Sequence, residues 1–328
     1  MQIASKDAAE ERNRRDELRA ELAHSIAQLI GSAEMLQTAV PGLTLYRRTS
    51  PTAPLSVTYE PSVAIVVQGR KRVELGRKTF IYDASRFLLT SVDLPVLSHV
   101  VEASQTSPYL CLRLKLEISI VGELLSRGEI PAAEVPFNGP AIATSETTVD
   151  LFRACSRLMD LLNVPKDIPF LGDSIQREII YRILQSPEGQ RLRAISTLGD
   201  QSHRTAKAVA WIRENYAKSL SVEDLAHFAG MGVSTLHTHF RELTSMSPLQ
   251  YQKQLRLQTA RLRMLTDGLD AATAAFEVGY GSATQFNREY SRFFGQPPKR
   301  DVRMLRSPAG LPSELVTDRN GSLTASRR

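Results

Sequence analysis

Three side chains in the first half of the chain have the atoms needed for metal or redox chemistry. His99 is the one histidine of the β-rich region, and no second histidine lies two residues away. Because zinc sites use three or four closely arranged ligands, an isolated histidine is better explained as a hydrogen-bonded structural residue. Cys111 and Cys155 have no partners at metal-ligand spacing, so we expect buried free thiols in a reducing cytoplasm. We therefore expect no catalytic residue, no metal and no cofactor.

The charged side chains indicate a different chemistry, because their distribution is uneven. The chain of 328 residues has a formal net charge of +6. Residues 203–328 hold 18 Lys and Arg against 11 Asp and Glu, whereas residues 1–202 hold 23 against 24. A positive excess confined to the last third predicts a polyanionic partner, nucleic acid ahead of a membrane surface.

Length and composition limit the class of protein. Hydrophobic residues make up 42% of the chain and charged residues 23%, which is ordinary for a globular protein and excludes collagen-like, disulfide-scaffold and wholly disordered chains. No apolar run approaches the roughly 20 residues of a membrane span, and the charged N-terminus is unlike a signal peptide. We expect two domains in a cytoplasmic, nucleoid-associated protein of bacterial type.

The first two thirds of the chain change from helical to β-type patterning and back. An apolar stripe over 5–30 has helical spacing, residues 62–119 contain short β-type runs without intervening helices, and 149–162 and 175–184 are again helical. Arg113 and Lys115 alternate with leucines, as in a half-buried strand. This favours an antiparallel barrel or sandwich in an α+β, two-domain chain. The expected boundaries are a helical extension at 1–40, a β domain with trailing helices at 41–186, a linker at 187–204, a helical domain at 205–306 and a disordered tail at 307–328.

A helix-turn-helix pattern begins the last third. Ser221 is placed to cap a short helix that ends at Gly230, and a second helix starts near residue 234. Small Ala226 allows two helices to approach closely, and glycine suits the turn between them. Leu236 and Phe240 then lie on one face of the second helix, where they can fix it against the first.

The same order of residue types occurs a second time. Ala275, Gly279, Phe286 and Tyr290 repeat it 49 residues after the first turn glycine, with a turn one residue longer. Between the copies, Ser247 and Pro248 are typical of a helix start. A helix over 248–265 would be about 27 Å long at 1.5 Å per residue. Such a bridge can place two recognition helices about one DNA turn apart, roughly 34 Å.

Residues 207–305 resemble the AraC/XylS-type transcription regulators. The segments that carry the resemblance are SVEDLAHFAGMGVSTLHTHFREL, MSPLQYQKQLRLQTAR and VGYGSATQFNREYSRFFGQPPKRD. The segment EPSVAIVVQGRKRVELGRKTFIYDASRFLLTSVDLPVLSHVVEAS is similar to the cupin-like N-terminal domain of one branch of that family. The resemblance implies a cupin-like β-barrel with flanking helices, followed by an all-α domain with two helix-turn-helix motifs joined by a linking helix.

The resemblance also implies which side chains face DNA. Arg suits guanine, Asn and Gln suit adenine, and Thr can contact the thymine methyl group. Arg288 of the second helix corresponds to Thr238 of the first, where the family often has arginine, so we expect two unequal half-sites. The positions carried over are Ser234, Thr235, His237, Thr238, Arg241, Thr284, Gln285, Asn287 and Arg288. Arg256 and Arg261 fall in a family pattern where arginine more often braces the structure than contacts phosphate.

The function of the β domain is left with alternatives. As a sensor it would hold an effector in an apolar pocket with few polar groups, with Tyr82, His99, Cys111 and Arg113 as candidate lining residues. It could instead serve only assembly, or be a cupin-type metal enzyme with a basic accessory domain. The family implies promoter half-sites in adjacent major grooves, RNA polymerase as a partner and a homodimer, with the helices at 149–184 packing on the barrel or between subunits.

Overall fold

The computed structural model describes residues 2–128, 130 and 138–306. The tail expected at 307–328 lies outside the described residues. An N-terminal β domain with surrounding helices precedes an all-helical C-terminal domain, which confirms the α+β, two-domain prediction. Within the described ranges, no helix combines the length and apolarity that crossing a membrane would need.

The strands of the β domain form two antiparallel sheets. One sheet has the order β1-β2-β9-β4-β7-β10 and the other the order β3-β8-β5-β6. The strands are β1 (Met35–Gln37), β2 (Leu43–Arg48), β3 (Leu55–Tyr59), β4 (Ser62–Gln68), β5 (Arg70–Leu75), β6 (Lys78–Asp83), β7 (Arg86–Thr90), β8 (Leu94–Glu102), β9 (Tyr109–Lys115) and β10 (Ile142–Glu146).

Strand β9 lies in the middle of the larger sheet and has the alternation expected of it. It pairs with β2 on one side and β4 on the other. Leu112 and Leu114 are buried, whereas Arg113 and Lys115 are half-buried. Apolar side chains on one face and polar ones on the other are what a strand needs between a packed layer and a polar interior.

Five helices surround or follow the sheets. Leu18, Leu22 and Ile26 form the buried stripe of the first helix, which packs on the larger sheet, as its spacing predicts. The helix expected at 175–184 begins earlier, because Pro169 lies in its first turn, where proline is favoured. These helices are α1 (Gln2–Ile30), α2 (Ile118–Ser126), α3 (Val149–Asp160), α4 (Ile168–Leu184) and α5 (Gly189–Ser196).

Two expectations about this helical region can be compared with the structure. The apolar stripes of α3 and α4 are buried within the chain, through residues such as Phe152, Cys155 and Ile183, so intramolecular packing accounts for them. The segment expected to be a linker, 187–204, contains α5, because Leu192 and Ile195 are buried against the preceding helices. Both cysteines are buried and form no disulfide among the described residues, and burial raises the pKa of the Cys155 thiol to about 12.

The C-terminal domain consists of two helical lobes joined by a long helix. Lobe 1 comprises α6 (Gln201–Glu214), α7 (Val222–Ala229) and α8 (Val233–Thr244). The linking helix is α9 (Pro248–Thr266), and lobe 2 comprises α10 (Ala271–Glu277), α11 (Ala283–Phe294) and α12 (Pro298–Leu305). Lobe 1 and the β domain share one continuous apolar core, whereas the core of lobe 2 is a separate cluster that includes Leu257 and Met264 of α9.

Candidate nucleic-acid interface

Lobe 1 has the geometry that its sequence predicts. The Ser221 hydroxyl accepts a hydrogen bond from the Asp224 amide at 3.1 Å and caps α7. Gly230 ends α7 with φ of 65°, a left-handed conformation that glycine adopts without strain. Ala226 is buried where α7 meets its neighbours, and Leu236 and Phe240 are fully buried beneath α8. Helix α8 is therefore held by its apolar face, and its polar face points away from the lobe.

Lobe 2 repeats this arrangement with a turn that is one residue longer. Ala275, Phe286 and Tyr290 are fully buried in its core. Gly279 has φ of 89°, and a Cβ atom there would overlap the carbonyl oxygen of Ala217 in lobe 1. Glycine is therefore required at position 279 both by the backbone conformation and by the close approach of the two lobes.

Helix α9 is fixed to both lobes by polar contacts. Ser247 and Gln250 form a capping box at its start. Gln252 and Arg256 donate to the carbonyl oxygens of Tyr216 and Lys218, with distances of 2.6–3.0 Å. These contacts hold the segment after α6, against which Gly279 of lobe 2 also packs. The interpretation of Arg256 as a bracing residue agrees with these contacts.

Arg261 of α9 makes a buried, bidentate ion pair with Asp301 of lobe 2. Its Nε and Nη2 atoms donate to the two carboxylate oxygens of Asp301 at 2.8 and 2.9 Å, and all of these groups are buried. The Tyr290 hydroxyl donates to the same carboxylate at 2.7 Å, and together with burial this bond raises the tyrosine pKa. The Arg261 guanidinium also lies 4.3 Å from the centre of the Phe294 ring. Arg261 therefore fixes α12 to α9.

The nine positions carried over from the family lie on the faces of α8 and α11 that the lobes leave uncovered. On α8, His237 is half-buried and its four companions are exposed, and all four positions on α11 are exposed. Thr238 donates to the Ser234 carbonyl oxygen at 3.1 Å. Gln285 donates to Glu289 at 3.3 Å. Both contacts stay within one helix, so they leave the two faces open to a partner.

Basic side chains of α12 and the residue after it differ in whether they are bonded to the protein. Lys299, Arg300 and Arg303 are exposed on or next to α12. Arg306, which follows α12 directly, donates instead to the carbonyl oxygens that end α9, including that of Leu265 at 3.3 Å. Arg306 therefore helps to terminate the linking helix, and the exposed side chains of the other three can attract phosphate non-specifically.

A small cavity lies between the two sheets of the β domain. Three of the four candidate effector residues, Tyr82, Cys111 and Arg113, line it. His99 does not line it, because Ser98 and Val100 of β8 point inward and His99 points to the other face. Its volume is about 30 Å³, which is room for one or two waters. In the part of the chain that the structure describes, no group of three His, Cys, Asp or Glu residues could hold a metal ion.

Two cations and several tyrosines lie around this cavity. Lys71 is buried, with its Nζ atom 5.7 Å from the centre of the Tyr59 ring. The Arg113 guanidinium lies 5.6 Å from the centre of the Tyr46 ring, and its buried Nε atom lacks a hydrogen-bond partner among the described residues. Burial raises the pKa of Tyr82 well above its usual value. The cavity wall therefore combines aromatic surface with positive charge.

Lys71 was not predicted from the sequence, although a signal for it exists. In β5 the buried positions alternate as Lys71, Val73 and Leu75. A period-two reading of this strand places the lysine on the same face as two core residues. A lysine on the buried face of a strand is unusual enough to mark a polar interior.

Comparisons with known proteins agree with this geometry. A family model described as the AraC-type transcriptional regulator N-terminus matches residues 39–191, and a model of a helix-turn-helix domain matches residues 225–304. The raffinose operon transcriptional regulatory protein RafR of Pediococcus pentosaceus is 25% identical over 154 residues, which are 45% of this chain and 53% of that protein. The transcriptional activator RhaS of Yersinia pestis is 30% identical over 104 residues, 32% of this chain and 38% of that protein. The matches therefore span about half or less of these relatives.

Solved structures share the fold of most of the chain, across both domains. ToxT from Vibrio cholerae aligns with a TM-score of 0.56 and 9% identity, over 81% of this chain and 98% of ToxT. A second ToxT structure, with a bound unsaturated fatty acid, aligns with a TM-score of 0.51 and 11% identity, over 83% of this chain and 96% of that one. Together the two matched segments cover the β domain with its trailing helices and most of both lobes, and on this evidence the chain belongs to the AraC-type transcriptional regulators.

Proposed function

We propose that this chain is a transcriptional regulator that binds a specific duplex DNA sequence through α8 and α11, in two adjacent major grooves. The observation that carries the proposal is the pair of exposed polar helix faces on two lobes that α9 joins rigidly. Family membership supports it independently. Phosphate contacts from the basic surface would supply affinity, and side chains on the two helices would supply specificity.

The two half-sites are expected to be bound unequally. Arg288 on α11 can grip guanine bidentately or pair with phosphate as a cation, whereas Thr238 at the matching position of α8 has neither the charge nor the bidentate geometry. Thr238 also donates to its own helix. The half-site under lobe 2 should therefore tolerate fewer base changes than the half-site under lobe 1.

A footprint on a selected duplex tests this proposal. The full chain would first be used to select duplexes from a randomised library. Hydroxyl-radical footprinting of the most enriched duplex should then show two protected patches about 10 base pairs apart. Affinity should fall steeply as salt rises. Arg288→Ala should remove protection of one patch first. Protection of a single groove, or selection of no sequence at all, would contradict the double-motif model.

We also propose that the β domain binds a small-molecule effector in the cavity between its sheets, with Tyr82, Cys111, Arg113 and Lys71 as lining residues. Buried positive charge favours a ligand with an anionic group, and the tyrosines favour an apolar body. The unsaturated fatty acid in a ToxT structure has this chemistry. Because the cavity is about 30 Å³ and ligand pockets are usually about 300–1,000 Å³, binding requires the walls to separate.

Thermal denaturation tests the effector proposal. An unsaturated fatty acid should raise the melting temperature, and its methyl ester, which lacks the charge, should not. Lys71→Met should abolish the difference between the two. If a wider set of metabolites gives no shift while the oligomer stays intact, the β domain is an assembly module instead.

Further proposals follow from the family. RNA polymerase would be a partner, the chain would act as a homodimer in the cytoplasm, and it would not be an enzyme. The rival reading, a cupin-type metal enzyme, is tested by metal analysis of the purified protein. Stoichiometric metal that is lost in His99→Ala would support the enzyme, and metal-free protein with full DNA binding would support the regulator.

A further inference from the structure

The β domain contacts the DNA-binding domain directly. Among the described residues, the hydrogen bonds between the two domains reach only lobe 1 and α9. The Ala141 amide donates to the Leu243 carbonyl oxygen at the end of α8, at 2.8 Å. The Tyr251 hydroxyl donates to the Asp93 carbonyl oxygen at 2.8 Å. These bonds place the β domain against the elements that hold the first recognition helix.

Strand β3 is the part of the β domain that touches both the cavity and α9. Val57, Thr58 and Tyr59 line the cavity. On the other side, the Gln258 amide of α9 donates to the Ser56 hydroxyl at 2.7 Å and accepts from the Thr58 hydroxyl at 2.6 Å. Gln258 is itself buried, so these two bonds lie inside the interface and are not replaced by water without cost.

An ionic contact follows β3 directly. Glu60, the residue after the strand, accepts a hydrogen bond from Arg213 of α6 at 2.8 Å, and Arg213 also pairs with Asp93 at 2.7 Å. Lys115 lies 3.7 Å from Glu60 on the side of the β domain. Both ends of β3 are thus joined to the DNA-binding domain, one through α9 and the other through α6.

The topology makes β3 a wall that can yield. It is an edge strand, since it pairs only with β8 in the order β3-β8-β5-β6. The other edge strand at the cavity, β6, also packs against β4, β7 and β10 of the opposite sheet. Walls formed by central strands are held by ladders on both sides, and displacing one of them breaks twice as many backbone hydrogen bonds. A cavity of this size cannot admit a ligand unless a wall moves.

We propose that β3 transmits occupation of the cavity to lobe 1, with Gln258 and Arg213 as the positioning residues that couple the strand to α9 and α6. This rests on the proposed sensing function. Lobe 2 is joined to lobe 1 through α9, through the contact at Gly279 and through packing of Tyr216 and Val302. A shift of β3 that reaches α9 would therefore change the spacing of the two recognition helices. The β domain would then regulate DNA binding without covering either helix.

Hydrogen exchange of the full chain tests the coupling without a ligand or DNA. Ala64 lies on β4, in the sheet opposite β3, and lines the cavity. Ala64→Met would fill the cavity and push on β3. We expect amide exchange to rise at least fivefold in β3 and in residues 251–258 of α9, with α10 and α11 unchanged. In the double variant Gln258→Ala, Arg213→Gln, the same filling should still affect β3 and should no longer affect α9.

Controls make each outcome decisive. Gln254→Ala is the same change on the same helix, at a residue that makes no hydrogen bond to β3 among the described residues, and should leave the coupling intact. If Ala64→Met raises exchange across the whole β domain, Ala64→Val replaces it as a smaller filling. A response of β3 that never reaches α9, a response of α9 that survives the double variant, or no response of β3 would each overturn the proposal. The footprint and the thermal-shift assay would be unaffected by any of these failures.

Discussion

Tyr251 of α9 and Asp301 of α12 occupy equivalent positions in the two copies of the motif. Each lies eleven residues after the second buried residue of its recognition helix, Phe240 or Tyr290. The Tyr251 hydroxyl reaches out of lobe 1 to a carbonyl oxygen of the β domain. Asp301 bonds inward, to Tyr290 and Arg261 of its own lobe and linking helix. The same motif is therefore bound to the β domain in lobe 1 and bound only to its own lobe and linking helix through these residues in lobe 2. The β domain can thus influence the first recognition helix, while the contacts that hold the second do not involve it.

The largest expected effect comes from breaking the inward anchor. Arg261→Met removes the buried partner of Asp301 and should lower the free energy of unfolding by about 3–5 kcal/mol, because it leaves an uncompensated buried charge. Urea denaturation of the full chain measures this. Adding Asp301→Asn should recover most of the loss. A loss below about 1 kcal/mol would mean that the pair behaves as if exposed to solvent.

The turn glycines give a matched pair. Gly279→Ala should lower the free energy of unfolding by about 3 kcal/mol, since it combines left-handed backbone strain with a clash against Ala217. Gly230→Ala should cost only about 1 kcal/mol, because its φ is similarly positive but no atom lies within 4 Å of the new Cβ. Equal losses in urea denaturation would show that the two lobes do not pack as closely as described.

The outward contact should respond to pH through Asp93. Burial raises the pKa of Asp93 to about 6, and pairing with Arg213 only partly opposes this. The folded chain then binds this proton more tightly than the unfolded chain, so the contribution of Asp93 to stability is present at low pH and is lost as pH rises through 6.

Asp93→Asn does not titrate, so it isolates this group. Its free energy of unfolding relative to the parent chain should rise by about 2 kcal/mol between pH 4.5 and 7.5. Burial raises the pKa of neighbouring Glu60, but the hydrogen bond to Arg213 and the charges of Lys115 and Arg213 lower it overall, which moves its titration away from that window. A difference that is flat or falls with pH would show that attraction to Arg213 outweighs burial.

The smallest effect concerns DNA. Arg288→Thr should weaken binding to the selected duplex by about 1–2 kcal/mol, or roughly tenfold, and Thr238→Arg should strengthen it by a smaller amount. Competition binding at fixed salt measures both. If lobe 1, held by the β domain, carried most of the specificity, Thr238→Arg would change the affinity more than Arg288→Thr.

The lobes were more predictable from sequence than the contacts between domains. Ala226, Gly230, Leu236 and Phe240 act within about fifteen residues of one another, so local spacing predicts their packing. Gln258 and Ser56 are 202 residues apart, and neither side chain carries a local signal that it pairs. The clash that requires Gly279 likewise depends on Ala217, far away in the chain.

Within the β domain, the strand patterns can be compared with the cavity. Arg113 alternates with leucines in β9, and the structure places it at the cavity. His99 alternates with Ser98 and Val100 in β8, which indicates the opposite face, and it does not line the cavity. Helix α5 was missed because Gly189 and neighbouring polar residues resemble a linker, whereas burial of Leu192 by distant helices decides the structure.

The shared core of the β domain and lobe 1 has a consequence for dissecting the molecule. Cutting near residue 204, where the sequence suggests a boundary, would strip lobe 1 of part of the apolar surroundings that it has in the intact chain. A stop after α9 instead would remove lobe 2 and expose the residues of α9 that complete its cluster, yet keep every buried residue of the larger core. During translation the β domain, lobe 1 and α9 leave the ribosome first, and lobe 2 is added to a unit that can already be folded.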